Sequence, residues 1–210
     1  MPVGSDTFPF TERDIPVEGQ KIEYADFAIW VNEKPELGGV DLGIGAISFG
    51  NGSKAYGYTS IAGGEDSVVK GHYSMAFGRN NLAIGDYATA RGSDTKAIGH
   101  VSYAEGYETQ ALAAGAHAMG SHSIASGDNS FAGGRSTASG DYSFAYGGNV
   151  KAEADNSFAT GYSTLAQGTH SFASGVSTQA LGEASHVEGR QTIANNSNAH
   201  AEGYKSQADG

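Results

Sequence analysis

Residues 168–189 read GTHSFASGVSTQALGEASHVEG, three heptads in a row: GTHSFAS, GVSTQAL and GEASHVE. Each opens on Gly, has Ser or Thr three places on, and has a small apolar residue two places further. The residue between them changes, from Phe172 to Gln179 to His186. The skeleton extends far beyond this stretch. Gly returns every seventh residue from Gly43 to Gly134 and, after a unit one residue short, from Gly140 to Gly210. Only Ala113, Ala154 and Asn196 interrupt it. The consensus is G-x-x-S-x-A-x. The pattern argues against a helix, because Gly in every heptad costs about 1 kcal/mol each time relative to Ala, and a seam of Ser and Ala buries too little to offset it. The S-x-A core alternates with period two, the mark of a strand. Each unit therefore reads as a strand of about four residues and a tight turn, with Gly supplying positive φ at the corner.

Units of constant length stack into a parallel β-solenoid. Two units make a coil of fourteen residues, and twelve coils at about 4.8 Å give a rod of roughly 55 to 60 Å. Ser and Ala point inward, with Ala76, Ala83, Ala90, Ala159, Ala166 and Ala173 typical of the thin core and the hydroxyls bonded to nearby backbone. The variable residues point outward. Every second unit gives Ile47, Ile61, Met75, Thr89, Tyr103, His117, Phe131, Phe144, Phe158, Phe172, His186 and His200. The intervening units give a mixed column with Lys54, Lys96 and Gln179. Four successive Phe on an outer face make an apolar patch that soluble monomers rarely leave exposed. An oligomer that packs this face on itself is the economical solution.

Composition agrees with a repeat fold. The chain has 210 residues, of which 32 are Gly, with no Cys and a net charge of -11. Large aliphatic residues are too few for a single compact core. The acidic balance argues against nucleic acid and against an anionic membrane surface. No basic segment followed by an apolar core opens the chain, and no run approaches a membrane helix in length, so neither a signal peptide nor membrane insertion is expected. All four Pro and the only Trp lie before residue 36. Residues 1–42 are thus an N-terminal arm, for capping or attachment, and residues 43–210 the repeat domain. Within the arm, KIEYADFAIWVNEK suggests a strand or a short amphipathic turn leading to one.

The units SMAFGRNNLAIGDYATARG (residues 74–92) and SFATGYSTLAQGTHSFASG (residues 157–175) resemble the head repeats of trimeric autotransporter adhesins of the YadA type. The resemblance implies an all-β fold, a left-handed parallel β-roll with three chains side by side. The column Ile47, Ile61, Met75, Tyr103, His117, Phe131, Phe144, Phe158, Phe172, His186 and His200 would then be the trimer interface. VSYAEG (101–106), ASHVEG (184–189) and NAHAEG (198–203) look more like the SHAEG repeats of bacteriophage tail fibres. With no signal peptide, no stalk and no C-terminal cap in view, the expected function is a structural fibre segment of a phage-like particle. It would join other particle proteins through its N-terminal arm and reach a host-surface receptor, with residence in the virion. The alternative is an adhesin head on a bacterial surface, binding host matrix.

No cofactor and no enzymatic activity are expected. His117, His186 and His200 would form axial layers in a trimer, and a metal or anion there is one reading. An interchain His–Glu layer, using Glu188 and Glu202, is the plainer and preferred one. His72, His100, His122 and His170 read as exposed turn residues. GGEDS and GDNS resemble calcium-binding repeats but lack their nine-residue spacing. Thr95, Thr109, Thr164, Thr178 and Thr192 face inward and read as structural. No nucleophile–base pair stands out.

Overall fold

The computed structural model describes residues 21–24, 27–32 and 45–209. The rest of the N-terminal arm, and the terminal repeat glycines Gly43 and Gly210, lie outside the described residues. Strand β1 (Lys21–Tyr24) pairs antiparallel with β2 (Phe27–Asn32). The latter pairs antiparallel with β3 (Ala46–Phe49), the first strand of the repeat region. The apolar stretch of the arm is therefore a hairpin laid along the first coil.

From there the chain is a parallel β-solenoid of fourteen-residue coils, with no helix among the described residues. Every outer position pairs with the residue one coil on, as Met75 with Thr89 and Tyr103 with His117. The backbone N–H groups donate up the rod in the same rhythm, Ile61 to Ser74 O at 3.0 Å and Val68 to Asn81 O at 2.7 Å.

The two units of a coil are not alike. Five-residue strands such as Met75–Arg79 alternate with two-residue strands such as Leu82–Ala83, where the sequence suggested strands of uniform length. The glycines divide the same way. Gly92 opens a short-strand unit and has φ +118°, whereas Gly85, opening a long-strand unit, does not have positive φ. Both are crowded: a Cβ on Gly85 would stand 1.9 Å from Gly99 O, and one on Gly92 2.0 Å from Gly106 O. Stacking at the coil repeat brings backbone onto backbone there, and a side chain enters only if the neighbouring backbone shifts. Positive φ at the corner thus belongs to alternate units only. Ala113, Ala154 and Asn196 all interrupt the other class, where the backbone asks nothing that an L-residue resists.

A second left-handed position recurs two places after the Gly in both kinds of unit, filled by residues as different as Tyr73, Asn80, Val101 and Glu108. No residue type marks it, so the sequence did not reveal it. The six-residue unit shows what happens without it. Its strand runs on through Phe131–Ala138, and the pairing slips between Arg135 and Ser136, leaving Asn149 of the next coil as a bulge.

The interior is narrow. Its fully buried apolar side chains are Ala and Val, including Ala76, Ala83, Ala90, Ala159, Ala166 and Ala173. Inward hydroxyls cap backbone carbonyls: Ser74 donates to Gly85 O at 2.8 Å and Ser130 to Gly127 O at 2.7 Å. The expectation that all do so fails for Ser102, Thr109, Ser143, Ser171, Thr178 and Ser185, whose hydroxyls are buried without a partner. The rigid stacking fixes these side chains whether or not a carbonyl lies in reach. Asn81 takes the Ser place once and is fully satisfied. Its Nδ2 donates to Phe77 O and Gly92 O, both at 2.8 Å, and its Oδ1 accepts from the N–H and hydroxyl of Thr95 at 3.0 and 2.7 Å.

Candidate functional site

An interior this thin leaves the larger apolar side chains outside, and the coil decides where they go. On the long-strand face the register aligns Ile47, Ile61, Met75, Thr89, Tyr103, His117, Phe131, Phe144, Phe158, Phe172, His186 and His200 in one column. From Tyr103 to His200 this column is eight successive rings. Tyr103, His117 and Phe131 meet edge to face at 4.6 and 5.6 Å between centroids. From Phe131 onward the rings stack. Phe131, Phe144, Phe158 and Phe172 follow at 4.9, 4.8 and 5.1 Å with planes within 8°. His186 and His200 continue the stack, at 4.6 Å from Phe172 and 4.8 Å from each other. Aromatic pairs in this range stabilise by about 0.5–1.5 kcal/mol each beyond their burial. The rings from Tyr103 to His186 remain half-buried, since each covers only its neighbours up and down the rod, and His200 at the end of the stack is exposed.

The electrostatics of the face vary along it. Burial among rings pushes the His117 imidazole below its ordinary range, against the opposite pull of Glu105. Tyr103 donates to the Glu105 carboxylate, which pushes the phenol up. His186 Nε2 lies 3.5 Å from Glu188 and His200 Nε2 3.8 Å from Glu202. Within the single chain, no three His, Asp, Glu or Cys side chains among the described residues come close enough to hold a metal.

The short-strand face carries a mixed column, and the turns beside it hold the chemistry that sequence reasoning missed. His122 is not a bare turn residue. Its Nδ1 lies 2.7 Å from Ser121 Oγ and its Nε2 3.0 Å from Glu108. A hydroxyl, an imidazole and a carboxylate thus stand in line, the connectivity of an activated nucleophile. The rest of such a site is missing. Both the imidazole and the carboxylate are nearly half exposed, and the N–H of His122 is bonded to Tyr107 O at 2.9 Å. Open to water, the trio is a polar contact at the edge of the stack. The signal that could have found it is the fourteen-residue spacing of Glu108 and His122, which stacks them in adjacent coils. His72 is engaged too: its Nδ1 accepts the N–H of Tyr58 at 2.9 Å. Thr95, Thr109, Thr164, Thr178 and Thr192 are buried inside the short-strand half and offer no surface.

No curated protein matches the chain. The family model described as YadA head domain repeat (2 copies) matches residues 42–68, 70–95, 111–136 and 132–149. The matched units have the same register and the same inward Ala as the units that follow them to residue 208, so one kind of repeat builds the β-solenoid, and over the matched residues that repeat is similar to the YadA head repeat.

Proposed function

We propose that three copies of this chain stand side by side with their long-strand faces inward, and that the resulting rod is a non-enzymatic fibre segment. The observation that supports this most is the unbroken ladder of eight rings on one outer face. An apolar strip of that length on a thin-cored rod calls for a covering surface, and a parallel rod closes a small ring of like copies by rotation about its own direction. Head repeats of the YadA type fit the same arrangement. The hairpin paired to the first coil acts as its cap, covering an open sheet edge, while the remainder of the arm attaches the rod to its neighbour.

The rod serves as a rigid spacer that presents an attachment surface at a distance. Two settings suit it. Repeats of the form ASHVEG and NAHAEG favour the appendage of a phage-like particle. The match of residues 42–68, 70–95 and 111–149 to YadA head repeats favours an adhesin on a bacterial surface. Light scattering on the purified chain should give the mass of three copies; a stable monomer would overturn the assembly. Antibody labelling of intact particles and of intact cells decides the setting, by which of the two is decorated.

A further inference from the structure

The long-strand face is two columns wide. Within each five-residue strand, the residue two places beyond the ladder position emerges on the same side, as Phe77 does beyond Met75. The two columns differ. The ladder has no carboxylate, Lys or Arg, whereas the flanking column mixes apolar residues such as Phe77, Met119 and Tyr146 with Arg91, Glu105, Glu188 and Glu202. Every Glu there stands beside a donor in the ladder: Glu105 by Tyr103, Glu188 by His186, Glu202 by His200. Beside Phe131, Phe158 and Phe172 stand the small Gly133, Thr160 and Ser174, and beside Phe144 stands Tyr146.

Two facts make this pairing more than a property of one strand. At 3.5 and 3.8 Å the imidazoles of His186 and His200 are too far from their own glutamates for a hydrogen bond. Each pair also stays open to solvent, the His186 and Glu188 side chains being 41% and 53% exposed. Symmetry supplies the second acceptor. In a three-fold ring the contact between neighbours joins two different surfaces at the same height along the rod. A face made of two unlike columns provides both surfaces.

We infer that the ladder of each chain packs against the flanking column of the next, layer by layer. The inference rests on the trimer proposed above. His186 and His200 donate to Glu188 and Glu202 of the neighbouring chain, closing two rings of alternating imidazole and carboxylate. These rings fix the register of the three chains, because a slip of one coil at this end of the rod sets Phe172 against Glu188.

The chain has no Cys, so introduced thiols report without interference. One chain carries His186→Cys and a second, of different tag length, carries Glu188→Cys; they are co-expressed and treated with dibromobimane, a short bifunctional thiol reagent. Mixed assemblies should give a covalent two-chain band containing one of each, and each variant alone should give none. Bands from either variant alone, without the mixed band, would show like columns meeting and overturn the inference. So would the absence of any band in a mixture that light scattering reads as three chains. A monomer mass would overturn the trimer itself and this contact with it. Phe172→Cys and Ser174→Cys repeat the test one layer away, should either first variant fail to fold.

Discussion

In the coil of residues 71–84, the first half, GHYSMAF, sends Met75 and Phe77 outward on a five-residue strand, and the second, GRNNLAI, sends out Leu82 on a two-residue strand. Inside, the first half places Ser74 and the second Asn81. At the corner, Gly78 has φ +124° and Gly71 does not have positive φ. The same contrast runs up the rod. The long-strand half is small inside and aromatic outside; the short-strand half holds the inward Thr and a mixed outer column. One skeleton thus serves two tasks. One half carries the aromatic outer face, and the other carries the inward Thr and Asn81.

The largest expected effect separates the two outer faces. Phe158→Asp with Phe172→Asp places two carboxylates in the ring ladder and should dissociate the assembly to monomers, whereas Gln179→Asp on the short-strand face should leave its mass at three chains. Light scattering reads both, and equal behaviour would break the distinction between the halves. Next comes the interior of the short-strand half. Asn81→Ala removes the acceptor of two buried Thr95 donors and the donor to two carbonyls, and should cost about 2–3 kcal/mol in chemical denaturation. A finer test stays in the same column. Thr164 donates to Gly175 O at 3.2 Å, while the Thr178 hydroxyl is buried without a partner. Thr164→Val should cost about 1 kcal/mol, and Thr178→Val should be neutral or slightly stabilising. Equal costs would mean that the hydroxyls do not distinguish the two sites.

The smallest effect concerns the long-strand face at His117. Its folded pKa lies below the unfolded value because burial disfavours the imidazolium. The unfolded chain therefore binds the proton first as pH falls. The stability that neutral His117 contributes is fully present above the ordinary value of about 6.5 and is lost as pH drops below it towards the folded value. His117→Gln should remove that part of the decline in melting temperature between neutral and mildly acidic pH. An unchanged slope would remove His117 from the account.

Much of this was legible beforehand because a solenoid repeats its physics. The period of Gly, the inward Ala and the split of the outer residues into two columns all lie in the spacing, so Phe158 and Phe172 could be placed on one face from numbering alone. The unequal strands could not. They go with a positive φ at alternate Gly only, and the spacing of Gly is the same in both kinds of unit. Of the partnership of Ser121, His122 and Glu108, only the fourteen-residue spacing of Glu108 and His122 was legible; the contact itself depends on rotamers chosen at the edge of the stack.

By itself the sequence determined the class of fold and the direction of each side chain. A seven-residue period with Gly at its corner admits only short strands and turns, and alternation sorts inside from outside. The tertiary structure decided how the halves differ. Stacking at the coil repeat presses carbonyls against the glycines, and alternate corners take positive φ. It also brings rings fourteen residues apart into contact, turning a column of letters into a continuous aromatic face.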